Sequence, residues 1–159
     1  MILYLTNAPS EILALRSIIE GLPPGFPEVR AADTAGLHGV PDLEGLDLVM
    51  VRLLGGAAAW PAFDGLRRRA ASAGVPLIAF GGEAAPDAEM TAASTVPSAT
   101  VAEAFEYLVH GGLANLEQML RFASDTVCMT GFGFDPPAPV PTVGIHYRTE
   151  EGDGPLVAV

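Results

Sequence analysis

Two carboxylates four residues apart, Glu83 and Asp87, stand just past a glycine pair, Gly81-Gly82, where the apolar run Val75-Pro76-Leu77-Ile78-Ala79-Phe80 ends. On a helix face or in a loop, such a pair could serve as general acid and base, or supply two oxygen ligands to a divalent ion. The same residues also read as an acidic helix start, with Pro86 at the first helical position and Asp87 and Glu89 behind it. A second glycine pair, Gly55-Gly56, follows an apolar run that contains Arg52. Both pairs either let backbone approach a flat ligand or a partner loop closely, or simply turn the chain tightly. Asp125 and Arg121, with Phe132 and Phe134, form a further segment whose aromatic side chains must bury themselves, on their own domain or on a neighbouring one.

Other constellations are absent. His38, His110 and His146 have no histidine or cysteine at a metal-ligand spacing, so no structural zinc site is expected. His110, beside Gly111-Gly112, suits a helix C-terminus, where imidazolium favours the dipole. Cys128 has no nearby histidine and no evident cation, which leaves no Cys-His nucleophile, and no Ser-His-Asp arrangement is supported. Gly131 and Gly133 form Gly-x-Gly without the third glycine or the strand-to-helix setting of a dinucleotide fingerprint. The sequence therefore names no catalytic and no metal-binding residue.

Composition narrows the classes further. Among 159 residues, 19 acidic and 8 basic side chains give a net charge of −11, and every basic residue is arginine. Without lysine there can be no Walker P-loop, Schiff-base enzyme or phosphoacceptor receiver site. The acidic balance argues against nucleic acid, because Arg67-Arg68-Arg69 is the only basic cluster and reads as the solvated face of a helix. A single cysteine suits a reducing compartment. No secretory signal and no run of apolar residues long enough for a membrane span is visible, so a soluble, cytoplasmic protein is expected.

The elements that would position these residues alternate. Ile2 to Thr6 reads as a strand, and Ser10 as the N-cap of a helix through Ile12, Leu15, Ile18 and Ile19. Glu28 to Ala32 and Asp47 to Leu54 read as strands, with a Gly- and Pro-rich link between them that looks too broken for a crossover helix. Pro61 opens a second helix through Phe63, Leu66 and Ala70, which delivers the chain to the Val75 strand. This order predicts an α/β fold, a small flavodoxin-like or Rossmann-like parallel sheet of order 2-1-3-4, with the third and fourth strands buried on both faces. A helical pair follows, one helix capped by Ser98 and stopped at Gly111-Gly112, the next running from Leu113 to Val127. From Thr130 the chain turns Gly-, Pro- and aromatic-rich, and 136–141 should be an extended polyproline-like connector. The closing Gly154-Pro155-Leu156-Val157-Ala158-Val159 reads as a strand barely begun. The expected division is a domain at 1–128, then a linker and the truncated first strand of a next domain at 129–159.

Taken in order, Arg52-Leu53-Leu54-Gly55-Gly56, Trp60-Pro61, Gly81-Gly82-Glu83, Ser94-Thr95-Val96-Pro97, Glu103 to Leu108, His110-Gly111-Gly112, Asn115-Leu116, Arg121-Phe122, Ser124-Asp125-Thr126 and Thr130 to Pro137 resemble the N-terminal region of CobN, the large subunit of ATP-dependent cobaltochelatase. The resemblance implies that the chain is a fragment of a longer subunit that inserts Co(II) into hydrogenobyrinic acid a,c-diamide. It further implies that ATP, with Mg(II), is hydrolysed by AAA+ partner subunits, and that the metal-inserting centre lies in later domains. No cofactor is then bound by the fragment, which acts as a scaffold or gate. Its candidate contacts to the corrinoid or to other domains are Arg52, Gly55, Gly56, Gly81, Gly82, Glu83, Asp87, Asp125, Phe132 and Phe134. Two alternatives stay open: the large subunit of magnesium chelatase, which uses protoporphyrin, and a free-standing flavodoxin-like ligand-binding module.

Overall fold

The computed structural model describes residues 1–140. The connector residue Pro141, the alternating segment around His146 and the expected truncated strand at 156–159 lie outside the described residues.

Four strands, β1 (Ile2–Thr6), β2 (Val29–Asp33), β3 (Leu48–Leu53) and β4 (Leu77–Gly81), form one parallel sheet in the order β2-β1-β3-β4. The expected fold class and strand order are both observed. Registers are continuous across the sheet, with Tyr4 beside Met50 and Ile78, and Thr6 beside Arg52 and Phe80. Because side chains alternate between faces, Ile2, Tyr4, Met50, Ile78 and Phe80 point into one core, beneath helices α1 (Pro9–Ile19), α4 (Ser98–His110) and α5 (Gly112–Val127). Leu3, Leu5, Val49, Val51, Leu53, Leu77 and Ala79 point into a second core with α2 (Phe63–Ala73) and α3 (Ala88–Ala93). Burial on both faces explains why β3 and β4 are nearly all apolar rather than alternating.

The link from β2 to β3 has no α-helix among the described residues. Asp33 caps a single 3₁₀ turn, Thr34–Gly36, by accepting from the Ala35 N–H at 2.9 Å. The chain then crosses the second face in irregular conformation, anchored by Leu37, Val40, Leu43 and Leu46. A side chain at every third position covers that face as a helix would.

Helix starts depart from expectation in an instructive way. Ser10 is not an N-cap: α1 begins at Pro9, and Ala8 takes the cap position without a side-chain bond. Proline at the first position preorganises the turn and supplies no N–H to be satisfied, so it sets the boundary itself. Pro61, by contrast, does not open α2, which starts two residues later at Phe63, after a 3₁₀ turn at Ala57–Ala59. Ser98 lies inside α4, behind Pro97. Pro86 precedes α3, and Asp87 is its N-cap, accepting from Glu89 N and Met90 N.

The helical pair packs on the sheet and buries Val101, Ala104, Phe105, Tyr107, Leu116, Met119, Leu120, Phe122 and Ala123 in the first core. Thr100 lies near Val75 at the start of β4, while Phe105 stacks on Phe80 near its end. Hence α4 rises toward the carboxyl edge of the sheet, and α5 descends to the amino edge, where the Cys128 thiol lies 3.9 Å from the Asp47 carbonyl.

Candidate functional site

In an open parallel sheet the carboxyl edge, at the point where strand order reverses, is where loops part and a crevice opens. Here that point lies between β1 and β3, and the sequence spans it with bonds. Asn7, just past β1, donates to the Leu54 carbonyl at 3.0 Å and accepts from the Leu54 N–H at 2.8 Å. Beneath this clasp Arg52, from the end of β3, donates from Nη1 to Glu11 Oε1 at 2.7 Å, and its Nη2 faces the Gly82 carbonyl at 3.5 Å. Glu11, on the first turn of α1, is 8% exposed. Three polar atoms in this cluster are buried without a hydrogen-bond partner among the described residues: Tyr4 Oη, Glu11 Oε2 and Arg52 Nε. Burial, and next the charge of Glu11, push the Tyr4 hydroxyl well above its ordinary value, with Arg52 opposing. Tyr4 therefore stays neutral.

The two glycine pairs bring the β3 and β4 loops against each other. A Cβ on Gly82 would lie 2.6 Å from Leu54 Cα, and one on Gly81 would lie 2.8 Å from Asp87 Cβ. Gly55 and Gly56 have φ of 92° and 69°, in the left-handed region that favours glycine. A Cβ on Gly56 would lie 3.0 Å from Asp87 Oδ2. The partner loop that the glycines admit thus belongs to this same domain. Glu83 is exposed in the loop between β4 and α3, whereas Asp87 is engaged as the α3 cap.

Arg52, Gly55, Gly56, Gly81, Gly82, Glu83 and Asp87 accordingly share one edge. Phe132 and Phe134 lie elsewhere, on a strap formed by 129–140, and Asp125, near the end of α5, holds that strap. Met129, at φ 59°, reverses the chain after α5. The Asp125 carboxylate then accepts from the Thr130 hydroxyl at 2.7 Å, Phe132 N at 2.8 Å and Gly133 N at 2.7 Å. Burial works against this carboxylate, yet those bonds, with one from Gly131 N, hold its pKa below the ordinary value. Phe132 packs on Phe26 and Phe134 on Phe122, each with ring centroids 5.1 Å apart.

Further along, Gln118 accepts from Asp135 N, the Tyr107 hydroxyl donates to the Asp135 carbonyl, and Asn115 exchanges two bonds with Ala138. Asn115, Gln118, Phe122 and Asp125 recur at three- and four-residue steps, so one stripe of α5 holds the strap along its length. The strap runs antiparallel to α5 and ends with Val140 against Gly112, back at the carboxyl edge.

Sequence reasoning singled out Asp125 but missed Tyr4, Asn7, Glu11 and, on α5, the strap-holding roles of Asn115 and Gln118. A signal existed for Glu11, which shares the Leu15 and Ile18 face of α1 and is thus an acid on an apolar stripe. Arg67 and Arg68 are exposed and pair with Asp64, and Arg69 pairs with Asp42. Cys128 is half-buried, and burial, then the charge of Asp47, raises its pKa, so its thiol is not activated. No cluster of three or more candidate metal ligands occurs among the described residues, nor is any described helix long and apolar enough to cross a membrane.

No known family's sequence profile and no curated relative matches the chain. Among solved structures, the catalytic subunit of cobaltochelatase from Mycobacterium tuberculosis is 37% identical, with a TM-score of 0.75, over 95% of this chain. The chain spans 12% of that protein's length.

Proposed function

Starting from a chain that is a CobN-type segment, as its motifs and its likeness to the cobaltochelatase subunit agree, we propose that it serves as a scaffold or gating domain of a longer chelatase subunit. The whole subunit, in this reading, inserts Co(II) as substrate into hydrogenobyrinic acid a,c-diamide, and separate AAA+ subunits hydrolyse ATP. One observation carries the proposal: 37% identity is sustained over 95% of the chain. Two others fit it. Neither a lysine nor a P-loop is present, in keeping with ATP hydrolysis elsewhere. At the carboxyl edge, Arg52 is engaged with Glu11 and Asp87 with the start of α3, so two of the three candidate polar side chains there hold the domain together, and Glu83 alone is exposed. That the similar solved structure is a cobaltochelatase subunit favours cobalt over magnesium chelation.

The test has two parts. Titrating this chain with hydrogenobyrinic acid a,c-diamide, followed by corrinoid absorbance and by fluorescence from Trp60, should give no saturable binding from a domain that only supports. Saturable binding would place part of the macrocycle site here and make the Gly55 and Gly81 loops the next targets. Deleting the segment from the whole subunit should abolish or sharply slow cobalt insertion. Unchanged insertion by a folded deletion variant would end the scaffold reading.

A further inference from the structure

We infer that the carboxyl edge of the sheet is the face on which the next domain of the same subunit docks, an inference that rests on the reading of this chain as a segment of a longer one. Four exposed large apolar side chains stand toward that edge: Leu54 after β3, Val109 at the end of α4, Leu113 at the start of α5 and Val140 at the end of the strap, exposed by 46, 45, 52 and 48%. Beside them, and joined to Leu54 through the Asn7 clasp, lies a groove of about 430 Å³ lined by Asn7, Thr34, Leu37, His38, Trp60 and Pro61.

Part of the charge at this edge is engaged: Glu11 is paired with Arg52, and Asp33 and Asp87 accept backbone bonds at helix starts, while Glu83 stays exposed in the loop between β4 and α3. Apolar residues around a concavity, with polar and charged groups beside them, match the apolar centre and polar rim of an interface.

The strap identifies the occupant. It could have left the domain at the amino edge, where α5 ends. Instead Asp125, Gln118, Tyr107 and Asn115 hold 130–138 along α5 and bring the chain back to the carboxyl edge at Val140. Whatever follows the 159 residues is tethered to Val140 through residues 141–159, a short connection. At such a distance the effective concentration is on the order of millimolar, so even a modest surface is occupied. The similar cobaltochelatase subunit, of which this chain spans 12%, carries ample further polypeptide of its own, which is what the segment reading supposes here.

Cysteine accessibility tests the assignment. In a Cys128→Ser background, Leu54→Cys, Val109→Cys and Leu113→Cys are labelled with a maleimide in the 159-residue chain and in the whole subunit purified without its AAA+ partners. Met129→Cys, 83% exposed at the opposite edge, is the control. We expect fast labelling of all four in the short chain. In the subunit, labelling should slow about tenfold or more at the three edge positions, with Met129→Cys unchanged. Hydrogen exchange of the 54–56 and 82–87 loops in unsubstituted protein gives the same comparison should a variant fail to fold.

Equal labelling in both proteins would overturn the docking assignment. Protection already present in the 159-residue chain would also overturn it, assigning the edge to this chain's own residues or, if concentration-dependent, to a second copy. An immunoblot of the native cells separates the underlying reading: a product no longer than 159 residues would remove the subunit itself, whatever the labelling shows.

Discussion

Replacing Arg52 by methionine tests how the carboxyl edge is held together. The substitution keeps a long, flexible side chain and removes the guanidinium, leaving Glu11, 8% exposed, without its cation and beside a second oxygen that already lacks a partner. Breaking a buried ion pair from one side costs about 3–5 kcal/mol, because an uncompensated charge stays in a poorly solvated place. Arg52 is itself 22% exposed at its side chain, so water can reach part of the vacated space and the lower end, about 3 kcal/mol, is expected. In a domain of this size that corresponds to a fall in Tm of about 10 °C.

Glu11→Leu alone should cost less, about 1–2 kcal/mol, since the orphaned arginine can turn toward solvent. The double variant should fall short of the sum by about 2 kcal/mol or more, because replacing both members of a buried pair by apolar groups is often near neutral. Urea unfolding followed by Trp60 fluorescence, 5% exposed in the second core, and by circular dichroism gives all four corners of the cycle at constant m. If Arg52→Met lies within about 0.5 kcal/mol of the parent, or if the two substitutions add to within about 0.5 kcal/mol, the pair does not couple α1 to β3 and the reasoning fails.

Asp125→Ala should cost about 1–2 kcal/mol, as loss of a well-bonded cap does, and should expose 130–138 to proteolysis while α4 and α5 remain protected in hydrogen exchange. The depressed pKa of Asp125 gives this contribution a sign with pH. It is fully present above the ordinary carboxylate range and is lost as pH falls through the lowered folded value, so strap protection should fade only in acid, and the Asp125→Ala deficit should shrink with it. Gly82→Ala should destabilise by about 1–3 kcal/mol, since its methyl meets the Leu54 Cα as well as its side chain, so that turning the side chain alone cannot make room; an unchanged urea midpoint would show that the two loops can part freely. Met129→Gly should stabilise by about 0.5–1 kcal/mol by relieving a left-handed conformation at an exposed residue, with thermal unfolding as the check.

How much could be read beforehand depended on whether the cause was local. The strands and their order were legible because doubly buried parallel strands must be apolar throughout, and helical segments separated most of them. The β2–β3 crossover was not legible as such: Leu37, Val40, Leu43 and Leu46 cover the sheet at a three-residue step that matches neither helix nor strand periodicity. Helix starts were misplaced by up to two residues where serine was weighed above proline. At α2 and α3 the expectation fails the other way: Pro61 and Pro86 suit a first helical position, yet α2 starts at Phe63, and Asp87 caps α3 with Pro86 left in the loop.

The candidate site divides along the same line. The glycine pairs marked the two loops correctly as places of close approach, yet what approaches Gly82 is Leu54 of the same domain. The Glu11–Arg52 pair joins residues 41 positions apart, and an acid in the first turn of a helix already has a local explanation in the dipole. The one local hint, that Glu11 shares the apolar face of α1 with Leu15 and Ile18, did not name the partner. For Phe132 and Phe134 the need for burial was visible, but the residues that receive them, Phe26 and Phe122, could be chosen only by the fold.

The lateness of α4 and α5 in the chain has a consequence for synthesis. β1, β3 and β4 are complete once residue 81 has emerged, and α2 and α3 can close the second core soon after. On the other face, Ile2, Tyr4, Met50, Ile78 and Phe80 then have only α1 over them until residues 98–127 appear. A nascent chain paused after α3 therefore carries one finished core and one open apolar face. Such a species is prone to aggregate and to recruit chaperones, and it matures when the last helix descends between its neighbours and the strap is drawn up behind it.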